Sequence, residues 1–245
     1  MKSLFITATD TDAGKTFIAS ALTQALISVG LKVATFKPIA AGCEKLPNSD
    51  NLINDDAKLL THFANAGQSI HCVNPITFID PIAPHIAAQH EGTVLTIDTI
   101  NHYFNEVKSC NADITITEGA GGWRLPIHVN EEKQSYLSEF VQQHEMQVIL
   151  VVNMKLGCLN HAMLTFEAIK ADGLKCIAWV ANNAEHIPMS NLTENLTSLK
   201  AMLPIPNIGV IAHYTDSDVS GQTLSLHDKV NLASQQLNVK PILQS

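Results

Sequence analysis

The chain has 245 residues, 46% of them hydrophobic and 16% charged, with 15 Lys and Arg against 23 Asp and Glu for a formal net charge of −8. That composition is ordinary for a globular protein, and the length suffices for one large domain that buries roughly 70–75% of its unfolded surface. The negative balance excludes a nucleic-acid groove or an anionic membrane surface as main partner, but not a local basic pocket for phosphate.

Five cysteines (Cys43, Cys72, Cys110, Cys158 and Cys176) are scattered and form no Cys-x-x-Cys pair, the pattern of reduced thiols rather than of a disulfide framework or zinc site. Met1, Lys2 and Ser3 run straight into an apolar segment, which leaves no room for a secretory leader. No apolar run reaches the ~20 residues that a membrane span needs. The expectation is a cytoplasmic protein.

In chain order, residues 3–7 read as a buried parallel strand, and Phe17, Ala21, Leu22, Ala25, Leu26 and Val29 recur at helical spacing until Gly30. Between them the loop 7–16 ends in Gly14-Lys15-Thr16. Strand, loop and helix in that order are the setting of a phosphate-binding loop, whose backbone N–H groups and helix N-terminus face the phosphates. Gly14 lets the backbone come close, Lys15 brings a point charge to the terminal phosphates, and the Thr16 hydroxyl is placed to ligate Mg²⁺. The usual pattern expects glycine at position 9, where Thr9 stands; the slot before it is Ala8, which must then hold a conformation that glycine adopts more easily.

A second strand over 32–36 runs into Lys37-Pro38. Pro38 biases Lys37 towards extended geometry, and strand C-termini are where ligands bind in open α/β sheets. Lys37 is either a solvated surface lysine or a second cation facing the phosphates. After a polar stretch, 43–54, a helix over 55–63 opens with Asp55-Asp56. These acids either complement the helix N-terminus or reach, through Asp56 or Asp55, a Mg²⁺ beside Thr16. Three prolines within 73–85 mark an ordered lining loop, followed by short helical spacing over 86–90 and a helix over 97–108.

The segment 112–118 is an apolar, β-branched strand ending in Glu118, then Gly119-Ala120-Gly121-Gly122. An acid at that place holds Mg²⁺ in phosphate-loop enzymes, and the glycines let the chain pass close to phosphates. Residues 123–127 continue the loop. A helix over 136–141 and an apolar strand over 148–153 follow, the latter as a sheet buried on both faces requires. From Lys155 another helix opens, with Leu164, Ala168 and Ile169 inward; Gly157 and Asn160 at its start form an anion site, and Cys158 reads as a small buried residue. The strand 176–182 ends in Asn182-Asn183, whose amides suit either a base edge or a turn. A helix over 189–203, a strand over 208–211, a polar stretch over 214–225 and a tail helix near Asp228 complete the chain. The expected fold is a single α/β domain over 1–245, doubly wound, with a mostly parallel sheet and helices on both faces, of the P-loop NTPase type.

Together and in order, the phosphate loop, Lys37-Pro38, Glu118-Gly119-Ala120-Gly121-Gly122-Trp123, the strand 148–152, the segment Lys155 to Ala162 and Trp179-Val180-Ala181-Asn182 resemble dethiobiotin synthetase, from the N-terminus to about residue 212. The resemblance implies an ATP- and Mg²⁺-dependent ligase that closes the ureido ring of dethiobiotin from 7,8-diaminopelargonate and CO₂. It implies Lys37, Lys15 and Thr11 as catalytic residues, and Thr16, Asp56 and Glu118 as metal ligands. The implied nucleotide site is Asp12, Ala13, Gly14, Lys15, Thr16, Phe17, Asp56, Glu118, Gly119, Ala120, Gly121, Asn182 and Asn183, with Ala212-His213-Tyr214 as a wall. Substrate contacts fall to Thr11, Lys37, Ala41, Leu156, Gly157, Cys158 and Asn160, the last four through backbone amides across a homodimer interface. Asp12 stands where the family commonly has Glu, and Ala41 where it often has a contacting Ser. A ParA/MinD-type ATPase switch is the alternative, but such proteins carry a lysine where this chain has Asp10. A cobyrinate-type synthase would bring a further glutaminase domain, and a silent nucleotide binder has no need of Lys15, Thr16, Lys37 and Glu118.

Overall fold

The computed structural model describes residues 1–46, 51–132, 134–187, 189–217 and 223–245. Six strands, β1 (Lys2–Ala8), β2 (Val33–Phe36), β3 (Ile114–Glu118), β4 (Gln147–Asn153), β5 (Cys176–Asn182) and β6 (Asn207–Ile211), form one parallel sheet in the order β6-β5-β4-β1-β3-β2. All five pairings are parallel. Strand order reverses on either side of β1, the arrangement that opens a crevice at the carboxyl edge of a doubly wound sheet.

Alternation along the strands splits the core into two layers, because successive side chains point to opposite faces. Leu4 and Ile6 of β1 join Ile18, Leu22 and Leu26 of the helix Lys15–Ser28, with Leu60 of the helix Asp55–Phe63 and Val230 of the helix Leu226–Ser234. Phe5 points the other way, into a cluster with Phe36, Phe104, Phe140 and Trp179 beneath the helices Ile97–Lys108, Leu137–Gln143, Cys158–Ala171 and Leu192–Met202. Val148 to Val152 are fully buried on both faces, as their unbroken apolar run requires.

Several local expectations are corrected. Leu164 faces solvent at 57% exposure, because Cys158, Ala162, Phe166 and Ile169 define the buried stripe of its helix and Leu164 lies off it. The stretch 123–127 is not all loop: Pro126–Val129 pairs antiparallel with Gln134–Tyr136. Within 43–54, Glu44–Lys45 pairs with Leu52–Ile53, and residues 47–50 lie outside the described ones, as do 218–222 of the polar stretch 214–225. The segment 73–85 is preceded by a short helix, Ile70–Val73. The C-terminal helix begins at Leu226 with a capping box from Ser225 to Asp228, and a final turn, Lys240–Gln244, follows.

Candidate active site

The strand ends deliver the candidate side chains to a single cleft of about 1070 Å³ along the carboxyl edge of the sheet. Its floor is the phosphate loop. Gly14 is the N-cap of the helix Lys15–Ser28 at φ 78°, in the left-handed region. A Cβ there would also lie 2.2 Å from Asn182 Nδ2, so two independent constraints select glycine. Asn182 Nδ2 donates to the Ala13 carbonyl at 2.8 Å, and the buried Asn182 thus braces the loop from β5. The only other left-handed residue of the loop is Asp12, at φ 57°. Ala8 is not strained: it ends β1 in register with Val151, outside the left-handed region. Thr9 continues that pairing through its N–H to the Val151 carbonyl (3.0 Å), while its hydroxyl accepts from the Asn153 N–H (3.1 Å). The missing glycines therefore cost this loop no backbone strain.

Lys15 is buried and its ammonium donates to the Asp10 carbonyl at 3.3 Å. Burial holds its pKa below the ordinary lysine value; the Glu118 carboxylate opposes that shift and the Lys37 ammonium adds to it. Lys37 is not a solvated lysine. Its Nζ lies 2.8 Å from Glu118 Oε1 and 2.9 Å from Asp56 Oδ2, with 6% of the side chain exposed. Burial alone would lower its pKa, but Glu118 and Asp56 outweigh that and raise it above the ordinary value. Its main chain is clamped as well, by its N–H to the Val73 carbonyl and by Asn74 Nδ2 to its own carbonyl, both at 2.7 Å.

Of the two acids opening the helix Asp55–Phe63, the site takes Asp56. Asn54 caps this helix by accepting the Asp56 N–H at 3.0 Å, which turns Asp56 towards Lys37 and leaves Asp55 at the surface with Lys58 (2.7 Å). Burial pushes the Asp56 pKa up, but Lys37 and the Thr16 hydroxyl outweigh it and hold it below the usual carboxylate value. Thr16 Oγ1 also donates to Glu118 Oε1 at 2.8 Å. The second Glu118 oxygen, Oε2, is buried and has no hydrogen-bond partner. One hydroxyl and two carboxylates, one of them with an orphaned oxygen, fit a divalent cation whose remaining ligands are phosphate oxygens and water, as Mg²⁺ prefers. Among the described residues no three His, Cys, Asp or Glu side chains converge on a metal position, so the fit depends on that shared coordination.

Thr11, Asp12, Phe17, Ala41, Ala120 and Gly121 line the cleft. Ala13 is buried behind it and acts through its carbonyl. Gly119 does not reach it: a Cβ there would sit 2.8 Å from the Phe5 ring, so its smallness serves packing rather than phosphate approach. At the far end the walls are Asn183, Ala212, His213 and Tyr214. Asn183 Nδ2 donates to the Ile211 carbonyl (2.8 Å), whereas its Oδ1 is buried without a partner. Phe17 and Tyr214 lie 6.1 Å apart at 47°.

Leu156, Gly157, Cys158 and Asn160 do not line the cleft. Gly157 (φ 95°) caps the helix Cys158–Ala171 and Leu156 is 94% exposed. The Cys158 N–H already donates to the Lys155 carbonyl (3.0 Å) and its side chain is in the core, so that residue offers an external ligand neither group. Lys155 ties this corner back to the loop through an ion pair with Asp10. The sequence reading missed Leu226 and Lys229, which enter the cleft wall from the C-terminal helix, and Ile39, Ala40 and Leu125. The apolar ones follow strand ends or the glycine turn, a usable signal; Leu226 and Lys229 carried none.

Comparison with known proteins places the chain in a family. A family model described as an AAA domain matches residues 2–219. The chain is 44% identical over 237 residues to the ATP-dependent dethiobiotin synthetase BioD of Alteromonas mediterranea, covering 94% of this chain and 100% of the relative. It is 43% identical over 211 residues to the protein of the same name from Aeromonas salmonicida, covering 86% and 90%. Among solved structures it resembles a chain of the MinC:MinD cell division protein complex of Aquifex aeolicus (TM-score 0.54, 15% identity, 96% and 92% covered). It likewise resembles a ParA family ATPase of Chlorobium tepidum (TM-score 0.51, 14% identity, 98% and 93% covered). At such identities the structural likeness is one of fold alone.

Proposed function

This chain belongs to the ATP-dependent dethiobiotin synthetase family, whose members are ATP-dependent ligases, and on that premise we propose that it closes the ureido ring of dethiobiotin from 7,8-diaminopelargonate, CO₂ and ATP. One substrate amine captures CO₂ as a carbamate, the carbamate oxygen takes the γ-phosphoryl group, and the second amine closes the ring and expels phosphate. The observation that carries this reading is the buried Lys37, held between Glu118 and Asp56 in the same cleft as the loop Lys15. Negative charge accumulates on both the carbamate and the moving phosphoryl oxygens, and fixed ammonium groups in a shielded site stabilise it without reorganising. Lys37 cannot swing away, since two carboxylates and two main-chain hydrogen bonds fix it.

Lys15 serves the terminal phosphates from the loop side and Thr11 meets the diamine or carbamate at the cleft mouth. Thr16, Asp56 and Glu118 would hold Mg²⁺, which when bound neutralises phosphate charge. Asn182 keeps the loop in shape, and Asn183 offers its free Oδ1 to the base. The exposed corner Leu156–Asn160 is assigned to the carboxylate of a substrate bound by a second copy of the chain, through the amides other than that of Cys158. A homodimer with shared sites, small-molecule substrates and no nucleic acid or membrane partner, working in the cytoplasm, completes the proposal. The net charge of −8 supports the part of it that concerns nucleic acid and anionic membrane. A switch ATPase is the weaker reading, since position 10 is Asp10, ion-paired with Lys155.

The test is phosphate release from Mg²⁺-ATP and bicarbonate with and without 7,8-diaminopelargonate, run beside Lys37→Ala. Diamine-dependent release that collapses in the variant is the expected outcome. Release at an equal rate without the diamine, or none at all, would remove the synthetase reading.

A further inference from the structure

We propose that Asp172 is a positioning residue for the ligase reaction: through Trp123 and Arg124 it fixes the glycine turn that follows Glu118. Asp172 ends the helix Cys158–Ala171 as its C-cap, and its side chain is 12% exposed. The negative end of a helix macrodipole disfavours an acid at that place, so the helix itself does not call for one. The carboxylate is instead filled from the turn. Oδ2 accepts from Trp123 Nε1 (2.8 Å) and Arg124 Nη1 (2.6 Å), and Oδ1 accepts from Arg124 Nη2 (2.8 Å). A two-pronged guanidinium–carboxylate pair is both strong and directional. The main chain of Asp172 is held in turn, its N–H donating to the Ala168 carbonyl (3.1 Å) and its carbonyl accepting from Gln142 Nε2 (2.8 Å).

The turn needs support from outside because it has little of its own. Gly119, Gly121 and Gly122 carry no side chain, and glycine loses more freedom on ordering than any other residue. Two fixed points define the turn. At its start the Gly119 N–H donates to the Ile6 carbonyl (3.0 Å); at its end Trp123 is buried and tied to Asp172. The Phe5 ring joins the two points. It lies edge-on to Trp123 (centroids 5.9 Å apart, planes at 79°) and so close to Gly119 that a Cβ there would be 2.8 Å from it.

Asp172, Trp123 and Arg124 stand outside the cleft, yet the tethered pair interrupts a stretch that lines it: Glu118, Ala120 and Gly121 come before, and Leu125 after. Glu118 Oε1 accepts from both Lys37 and Thr16 at 2.8 Å. A shift of the chain that follows Glu118 therefore moves the carboxylate on which both depend. Such chemistry tolerates little movement, a misplacement of about 1 Å costing roughly 10²-fold in rate. The effect on turnover rests on the reaction proposed above; the hold on the turn does not.

The experiment compares the full chain with Asp172→Ala, with Asp172→Asn and with Trp123→Phe, which keeps a ring but lacks the N–H. Hydrogen exchange at the Gly119 amide is followed beside that at Thr9, whose N–H bonds to Val151 just past the end of β1. Phosphate release gives kcat and KM for the diamine, and calorimetry gives Mg²⁺-ATP affinity. In Asp172→Ala, Gly119 exchange should speed by about 10-fold or more while Thr9 exchange holds, the mark of a local opening. Its kcat should fall about 10- to 100-fold with KM within about 3-fold of the parent, and Mg²⁺-ATP affinity should drop several-fold. Asp172→Asn and Trp123→Phe should lie between the two, and they carry the same readouts if Asp172→Ala does not fold. Unchanged Gly119 exchange, or equal speeding at Thr9, overturns the proposal, since Asp172 would then be a general stabiliser. Faster Gly119 exchange with unchanged kcat and ATP affinity overturns the link to the cleft. A parent chain that binds Mg²⁺-ATP without diamine-dependent release would count against the synthetase reading alone, and exchange and ATP affinity would still decide the role of Asp172.

Discussion

The two ends of the cleft are built on different principles. At the phosphate end, Lys37, Asp56, Thr16 and Glu118 form a mostly buried network in which the Lys37 ammonium and two carboxylates fix one another, beside Lys15 on a loop that Asn182 braces from behind. At the far end, Phe17, Tyr214, Ala212 and Leu226 offer rings and aliphatic groups around the amide of Asn183. Position at the first end is over-determined, so small changes there propagate; at the second, contact is broad and individually weak. Binding can be spread over a surface, whereas phosphoryl transfer needs charge at fixed points.

Substitutions should follow that gradient. Lys37→Ala removes the ammonium from beside a Glu118 side chain that is 1% exposed; diamine-dependent turnover should fall about 10²- to 10³-fold, and urea unfolding should show a loss of about 3–5 kcal/mol. Gly14→Ala brings a Cβ to 2.2 Å from Asn182 Nδ2 at a left-handed φ. Calorimetry should show ATP binding weakened about 10- to 100-fold, from strain of about 1–3 kcal/mol. Adding Asn182→Ala should restore only part of this, because the clash goes and the backbone strain stays. Tyr214→Ala should weaken ATP binding only roughly 2- to 10-fold, the worth of one ring contact; a loss as large as that of Lys37→Ala would erase the contrast between the ends.

Two pH measurements sharpen it further. Lys15 titrates below the ordinary 10.5 because it is buried, and phosphate charge raises its pKa. As pH rises through the free protein's lowered value, ATP binding should take up a proton and weaken, visible as a buffer-dependent binding enthalpy. Asp56 has a folded pKa below 3.8. Its contribution to stability is therefore complete above that value and lost as pH falls through the depressed one, and Asp56→Asn should flatten this part of the acid limb.

Legibility in the sequence divides along the same line. The phosphate end could be read because each part lies at the end of an apolar strand or inside a short motif: Gly14-Lys15-Thr16, Lys37-Pro38 and Glu118 before its glycines. Asp55 and Asp56 could not be told apart until Asn54 was seen to cap their helix. Ala8 was misjudged because motif spacing counts glycines without showing which positions turn left-handed; those are Asp12 and Gly14. The far end resisted because Leu226 and Lys229 reach it through tertiary packing.

The central position of β1 bears on how the protein is born. Its neighbours are β3 and β4, and Thr9, at the root of the phosphate loop, bonds to Val151. On the ribosome, therefore, β1 is made well before either of its partners: until β4 has emerged, β1 is an apolar ribbon with an open edge. A nascent chain stopped short of β4 should hold no nucleotide, although it already carries Lys15, Thr16, Lys37, Asp56 and Glu118. In that interval the chain is most open to aggregation and most in need of a chaperone.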